Sequence, residues 1–259
     1  IDNCEFSAIG DWVISAIDCP ETVVKNSYLH DLSGGGIFIS SGDRQTLTPG
    51  DSLVENCRIE RFMNQRKTYS PAVRFDGVSN KMSHCSISDA PHEAVEFKGN
   101  NLIMEYCDIE NVCNDTADCG AIYMGRDWTR RGCEIRYNYF HNIKSINTTT
   151  GMKVQAVYLD DAFSSAKVYG NVIYKCSSVA LYGGGRYNTF ENNIVLECER
   201  PFVFDARCTT WMDWGEGSWI MQHLKAVPYN TSEAWIKAYP ELVNILNDEP
   251  QYPKYNTIA

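Results

Sequence analysis

Ala72-Val73-Arg74-Phe75 is followed twenty-two positions later by Ala94-Val95-Glu96-Phe97, and the same four-residue phrase returns as Ala121-Ile122-Tyr123-Met124, Ala156-Val157-Tyr158-Leu159 and Ala180-Leu181-Tyr182-Gly183, with Gly36-Ile37-Phe38-Ile39 ahead of them all. Apolar positions alternate with one polar or aromatic position, which is the period-two signature of a short strand and not of a helix. Counted from Ile37, the copies lie 36, 22, 27, 35 and 24 residues apart. An interval near 22 is one coil; the longer ones are coils with insertions.

A second phrase runs in parallel with the first. Val24-Lys25-Asn26-Ser27, Val54-Glu55-Asn56-Cys57, Met82-Ser83-His84-Cys85, Met104-Glu105-Tyr106-Cys107, Ile135-Arg136-Tyr137-Asn138, Val168-Tyr169-Gly170-Asn171 and Phe190-Glu191-Asn192-Asn193 are each followed two residues on by Leu29, Ile59, Ile87, Ile109, Phe140, Ile173 or Val195. Short strands repeating at this period predict an all-β chain wound as a right-handed parallel β-helix, each coil stacking about 4.8 Å above the last. The coils are expected over residues 1–208. From about Trp211 the repeat stops, and 209–255 reads as an irregular, partly helical insertion packed on the solenoid, with Ser232 as a helix N-cap. Residues 256–259 resemble the start of a further, truncated coil. The column Ser27, Cys57, Cys85, Cys107, Asn138, Asn171, Asn193 should form an interior ladder of bonded amides and small buried thiols, with a disulfide framework as the alternative reading of its cysteines. Cys113 and Cys119 bracket an inserted loop that a disulfide could close.

Composition narrows the partners. With 44% hydrophobic and 22% charged residues over 259 positions the chain can bury a substantial core, so disorder is excluded. A net charge of −10 argues against nucleic acid and anionic membrane surfaces, and no apolar run is long enough for membrane insertion. The same sign disfavours polyanionic polysaccharide unless calcium or a local basic groove screens it, leaving a neutral or mildly acidic glycan as the expected partner. Eleven cysteines, with Asn-x-Ser/Thr acceptors at Asn114, Asn147 and Asn230, point to a secreted or cell-surface glycoprotein. The opening residues Ile1 to Phe6 form no signal peptide, and the chain begins in mid-pattern as a mature fragment would.

In a β-helix the outward residues of one sheet form an open groove, so Phe38, Arg74, Glu96, Tyr123, Tyr158 and Tyr182 should become neighbours. Aromatic faces in a row suit sugar rings; a plain surface tyrosine ladder is the alternative. After the strands come Gly125-Arg126-Asp127-Trp128, Asp160-Asp161-Ala162 and Gly184-Gly185-Arg186 at equivalent places in three coils. Rungs one or two apart put such carboxylates about 5 to 10 Å apart, the range of paired glycosidic acids, whose pKa values like-charge crowding drives apart. An Arg/Asp network closing the turns, or a calcium site of Asp127, Asp160 and Asp161, would use the same residues. His92, ahead of its strand, could pair with Asp118 one coil away or serve as a buried turn histidine.

The runs Ala90-Pro91-His92-Glu93-Ala94-Val95, residues 118–129, residues 131–136, Tyr158-Leu159-Asp160-Asp161, Gly184-Gly185-Arg186-Tyr187-Asn188 and Tyr239-Pro240-Glu241-Leu242 resemble a family of secreted parallel β-helix proteins similar to glycoside hydrolase family 141, which includes α-L-fucosidase and xylanase activities. The likeness spans roughly residues 80–258. It implies a carbohydrate-active groove with aspartate acid/base chemistry carried onto Asp127, Asp160 and Asp161. The Pro-His-Glu run is also similar to mannuronan epimerases, but Ala90 stands where their Asp precedes the proline. The leading expectation is an extracellular two-aspartate glycoside hydrolase without a cofactor, in which Arg126 and Arg186 orient the acids while His92, Glu96, Tyr123, Tyr158 and Tyr182 bind sugar. The rivals are a non-catalytic structural glycoprotein that self-associates through its coil ends into a coat or fibre, and a polysaccharide lyase or epimerase.

Overall fold

The computed structural model describes residues 1–146 and 154–259. Among these the chain winds as a parallel β-helix in which every coil gives one strand to each of three eight-stranded sheets. The first sheet carries the column Val24, Val54, Met82, Met104, Ile135, Val168, Phe190, and the second carries Leu29, Ile59, Ile87, Ile109, Phe140, Ile173, Val195, each in direct Cα register with the next. The third pairs Ile37 with Val73, Val95, Ile122, Val157 and Leu181. These columns point inward and most members are fully buried. Each such side chain contributes about 1.5–3 kcal/mol by leaving water, the main term that holds an otherwise open ribbon closed.

The corner between the first two sheets shows why the phrase reads as it does. Asn26, Asn56, His84, Tyr106, Tyr137, Gly170 and Asn192 all have φ near +50° to +66°, the left-handed region that turns one strand into the next within two residues. The following residue points inward. Asn138 Nδ2 donates to Asn171 Oδ1 at 3.0 Å and Asn171 Nδ2 to Asn193 Oδ1 at 2.9 Å, while the N–H groups of Cys57 and Cys85 lie 3.5 and 3.4 Å from the sulfur one coil on. None of the eleven cysteines is joined in a disulfide. The thiol column is therefore packing, and Cys113 and Cys119 do not close their loop covalently.

Beyond the last full coil come helices Cys208–Trp211, Trp219–Lys225 and Glu233–Ala238. Ser232 precedes the third of these but makes no side-chain capping bond. Met212, Ile220, Leu224, Trp235 and Leu242 form a second core that closes over Trp128 and Ala162, in turns that leave the third sheet. Trp235 Nε1 donates to the Arg44 carbonyl at 2.9 Å and Tyr239 Oη to Asn101 Oδ1 at 2.9 Å, strapping the segment to the coils. Thr257–Ile258 then pairs with Thr189 and Phe190 on the first sheet. Among the described residues, no helix is long and apolar enough to cross a membrane.

Candidate functional site

Register puts the third sheet's outward residues in one row: Phe38, Arg74, Glu96, Tyr123, Tyr158, Tyr182. The tyrosines do not present their faces to solvent. Tyr158 and Tyr182 are 1% and 6% exposed, and the rings meet edge to face, Tyr123 on Tyr158 at 5.5 Å and Tyr158 on Tyr182 at 5.0 Å. Rungs are too close for a sugar to enter between rings that already tile one another, so the expected aromatic platform is a bonded support. Tyr123 Oη donates to Asp160 Oδ2 and Tyr158 Oη to Asp118 Oδ1, each at 3.0 Å, and Tyr182 Oη donates to Asp205. Burial first, then neighbouring carboxylates, push the first two phenols up, which keeps them donors.

Asp160 and Asp161 stand where the strand Val154–Leu159 ends, and their environments differ. Asp160 accepts from Arg126 Nε at 3.0 Å and Arg207 Nη2 at 2.9 Å besides Tyr123. Asp161 Oδ2 accepts from Trp211 Nε1 at 3.2 Å and lies 3.5 Å from Arg207 Nη2, while its buried Oδ1 has no hydrogen-bond partner. Burial, then the charge of Asp160, raises Asp161 to about 6; Arg207 and Arg126 pull against them. This is an acid that keeps its proton into the mildly acidic range.

Two adjoining clefts open here. One, of about 380 Å³, is bounded by Tyr69, Glu93, Glu96, Asp118, Arg126 and Trp211, with Tyr123 and Asp160 also in its wall; the other, of about 230 Å³, by Asp118, Arg126, Asp161, Arg207 and Trp211. Asp118, Arg126 and Trp211 face both. Arg207 Nη2 is 3.1 Å from Tyr158 Oη, itself 3.0 Å from Asp118 Oδ1, and 3.5 Å from Asp161 Oδ2. Those links hold the Asp118 and Asp161 oxygens less than about 10 Å apart, a limit that accommodates the roughly 5 to 9.5 Å spacing of glycosidic acid pairs.

The other anticipated residues fall in different places. Asp127 is 2% exposed and turned into its own loop: Oδ1 takes the Thr129 N–H at 2.8 Å and hydroxyl at 2.6 Å, and Oδ2 lies 3.1 Å from Arg130 Nε and 3.6 Å from His223 Nδ1. Arg130 and His223 line the larger cleft, so Asp127 supports its wall from behind. Arg186 leaves the acids altogether. It is 1% exposed and donates to Asp248 and to the carbonyls of Asp248, Glu249 and Tyr252, partners that the segment after the helices brings back to the coils. Glu96 faces the cleft, tied to Lys98 at 2.6 Å and Arg74 at 3.6 Å. His92 is a buried turn histidine, 2% exposed, packed edge-on against Tyr69 at 4.9 Å and lowered by burial to about 4, while Asp118 binds Tyr158 instead. Asn114 is half-buried and Asn230 exposed; Asn147 lies outside the described residues.

The acids do not gather as a calcium cage. Arginines occupy Asp160 on both oxygens, Asp127 faces away, and among the described residues no three His, Cys, Asp or Glu side chains converge on a metal position. Arg207 and Trp211 went unrecognised as site residues, and Asp118 was expected only as a partner for His92. Arg207 had a signal: continuing the third-sheet register twenty-one residues past Leu181 reaches Phe202, after which Asp205 and Arg207 follow at the places of Asp160 and Ala162.

Three parallel sheets wound into stacked coils, with a ligand-sized cleft where one sheet ends, define a parallel β-helix protein. The family described as right handed beta helix region matches residues 47–195, more than half of the chain, and the chain belongs to it. The fold is therefore a right-handed parallel β-helix, and the domain is common in carbohydrate-active proteins such as pectate lyases and glycoside hydrolases. No curated protein and no solved structure matches the chain.

Proposed function

We propose that this is a glycoside hydrolase-like protein, similar to family 141, that cleaves a glycan lying across the two clefts. Asp161 is the general acid and Asp118 the second carboxylate; Asp160, Arg126 and Arg207 set the field around them. The observation that carries this reading is Asp161 itself, a cleft-facing acid with a raised pKa and a buried oxygen bonded to nothing, opposite a second carboxylate and beside Trp211. An acid whose pKa sits near the working pH is what protonation of a leaving oxygen requires. Trp211 and the half-buried Trp219 offer ring edges and faces of the kind that pack on sugars.

The test is reducing-sugar release from a panel of plant, algal and microbial glycans. Asp161→Asn and Asp118→Asn should each lower turnover by roughly 10² to 10⁴, the usual worth of a general acid or base. Unchanged rates in both variants remove the assignment. No release from any glycan, with particle size growing with concentration, favours the scaffold role through self-association; an ultraviolet-absorbing product favours a lyase. An extracellular location belongs to the same proposal, and glycosylation of the exposed Asn230 in the natural protein would support it.

A further inference from the structure

Glu93 is 1% exposed yet faces the larger cleft, and its Oε1 has no hydrogen-bond partner. The nearest histidine offers no charge to hold it: His92 Nδ1 is 3.4 Å from Glu93 Oε2, equally without a hydrogen bond, and burial keeps that ring neutral at pH 7. The titratable and charged groups around Glu93 are His92, Glu96, Lys98, Arg74, Cys113, Cys119, Tyr69 and Tyr123. Burial, reinforced by Glu96 and Cys119, pushes Glu93 well above the usual carboxylate range against Lys98 and Arg74, so it holds its proton more tightly than an ordinary carboxylic acid while its buried Oε1 lacks a partner. A chain of net charge −10 nevertheless turns Lys98, Arg126 and Arg130 toward this one cleft. Arg126 gives its Nε to Asp160 while its side chain stays 45% exposed, its guanidinium 5.2 Å over the Trp211 ring.

We propose that Glu93 is the specificity-determining residue of the cleft, donating a hydrogen bond to the carboxylate of an acidic sugar, a uronate, whose charge Arg126 and Lys98 share. The proposal rests on the glycan reading of the cleft. A buried acid paired with a carboxylate forms a short, charge-assisted bond. Each cation already holds one protein carboxylate, Lys98 on Glu96 at 2.6 Å, Arg126 on Asp160 at 3.0 Å and Arg130 on Asp127 at 3.1 Å, and a uronate would be a second acceptor for the Arg126 side chain, which stays 45% exposed.

Calorimetric titration of the full chain at pH 6 with galacturonate and mannuronate oligomers, each beside its carboxyl-reduced counterpart, tests it. The wild type should prefer the acidic form by roughly 10- to 100-fold. Glu93→Gln keeps a donor in the same volume and should keep the preference across the pH range, whereas the wild type loses it once pH is high enough to ionise Glu93. Glu93→Met should bring the acidic oligomers down to the affinity of the reduced ones. Equal binding of both forms by the wild type, or a preference that survives Glu93→Met, overturns the assignment. Cleavage of neutral glycans that Asp161→Asn abolishes, without preference for the acid form, sinks only the role of Glu93; no binding of any glycan sinks the reading of the cleft itself.

Discussion

Two acid-and-arginine clusters on this solenoid use the same residue types and come out opposite. On the second sheet, Glu60 is 3% exposed and accepts from Tyr28 Oη at 2.5 Å, from Arg58 Nε at 2.6 Å and from Arg61, which also grips Asp31 at 2.7 Å. Burial works against the Glu60 charge, but bonds from Tyr28, Arg61 and Arg58 outweigh it and leave the group below its ordinary value. At the end of the third sheet, Asp161 has the same kinds of neighbour, yet one oxygen is bonded to nothing and its pKa rises to about 6. A carboxylate whose oxygens are all taken is a structural tie. One left short of partners in a cleft is poised to react, at a cost to the fold.

Breaking the arginines should show this most strongly. Arg207→Met removes a partner shared by Asp160, Asp161 and Tyr158, and should cut turnover roughly 10²-fold while moving the alkaline limb of the pH–rate profile upward, since Arg207 now pulls Asp161 down. Arg61→Met on the other cluster should leave that profile where it is. A matched loss in both variants would erase the contrast.

Stability should split in sign. The folded value of Asp161 lies above its ordinary 3.8, so the folded state holds the proton more tightly than the unfolded one, and stability falls as pH rises from about 4 through 6. Asp161→Asn should therefore raise stability at pH 7 by about 1–3 kcal/mol and do little at pH 4, read from urea midpoints at the two pH values. The smallest effect is on Glu60, whose folded value is depressed. Its contribution is present above its ordinary value near 4.5 and lost as pH falls through the folded one, so Glu60→Gln should cost about 1 kcal/mol at pH 7 and nothing in strong acid. An Asp161→Asn that destabilises at pH 7 would place that residue among the structural ties.

Much of this was legible beforehand, for an identifiable reason. The Val24, Leu29 and Ile37 columns could be aligned residue by residue because a strand alternates in and out with period two, and a slip of one would expose the whole column. Tyr123 followed from the same rule within its strand, and Asp160, Asp161 and Arg126 followed one or two steps past a strand end. Three steps past it the rule failed. Asp127 folded into its own turn, and Arg186 was taken by Asp248 and its neighbours, because outside the ladder a side chain's direction is set by whatever packs on the loop.

By itself, then, the sequence determined the winding: the period, the residues that face inward, the left-handed corner positions and the small-residue ladder behind them, all local consequences of strand geometry and repetition. Only the tertiary structure decided which acid keeps its proton, because that depends on Trp211, brought back by a segment with no period of its own, on the direction Arg207 takes three residues past its strand, and on a burial that no spacing of residues can express.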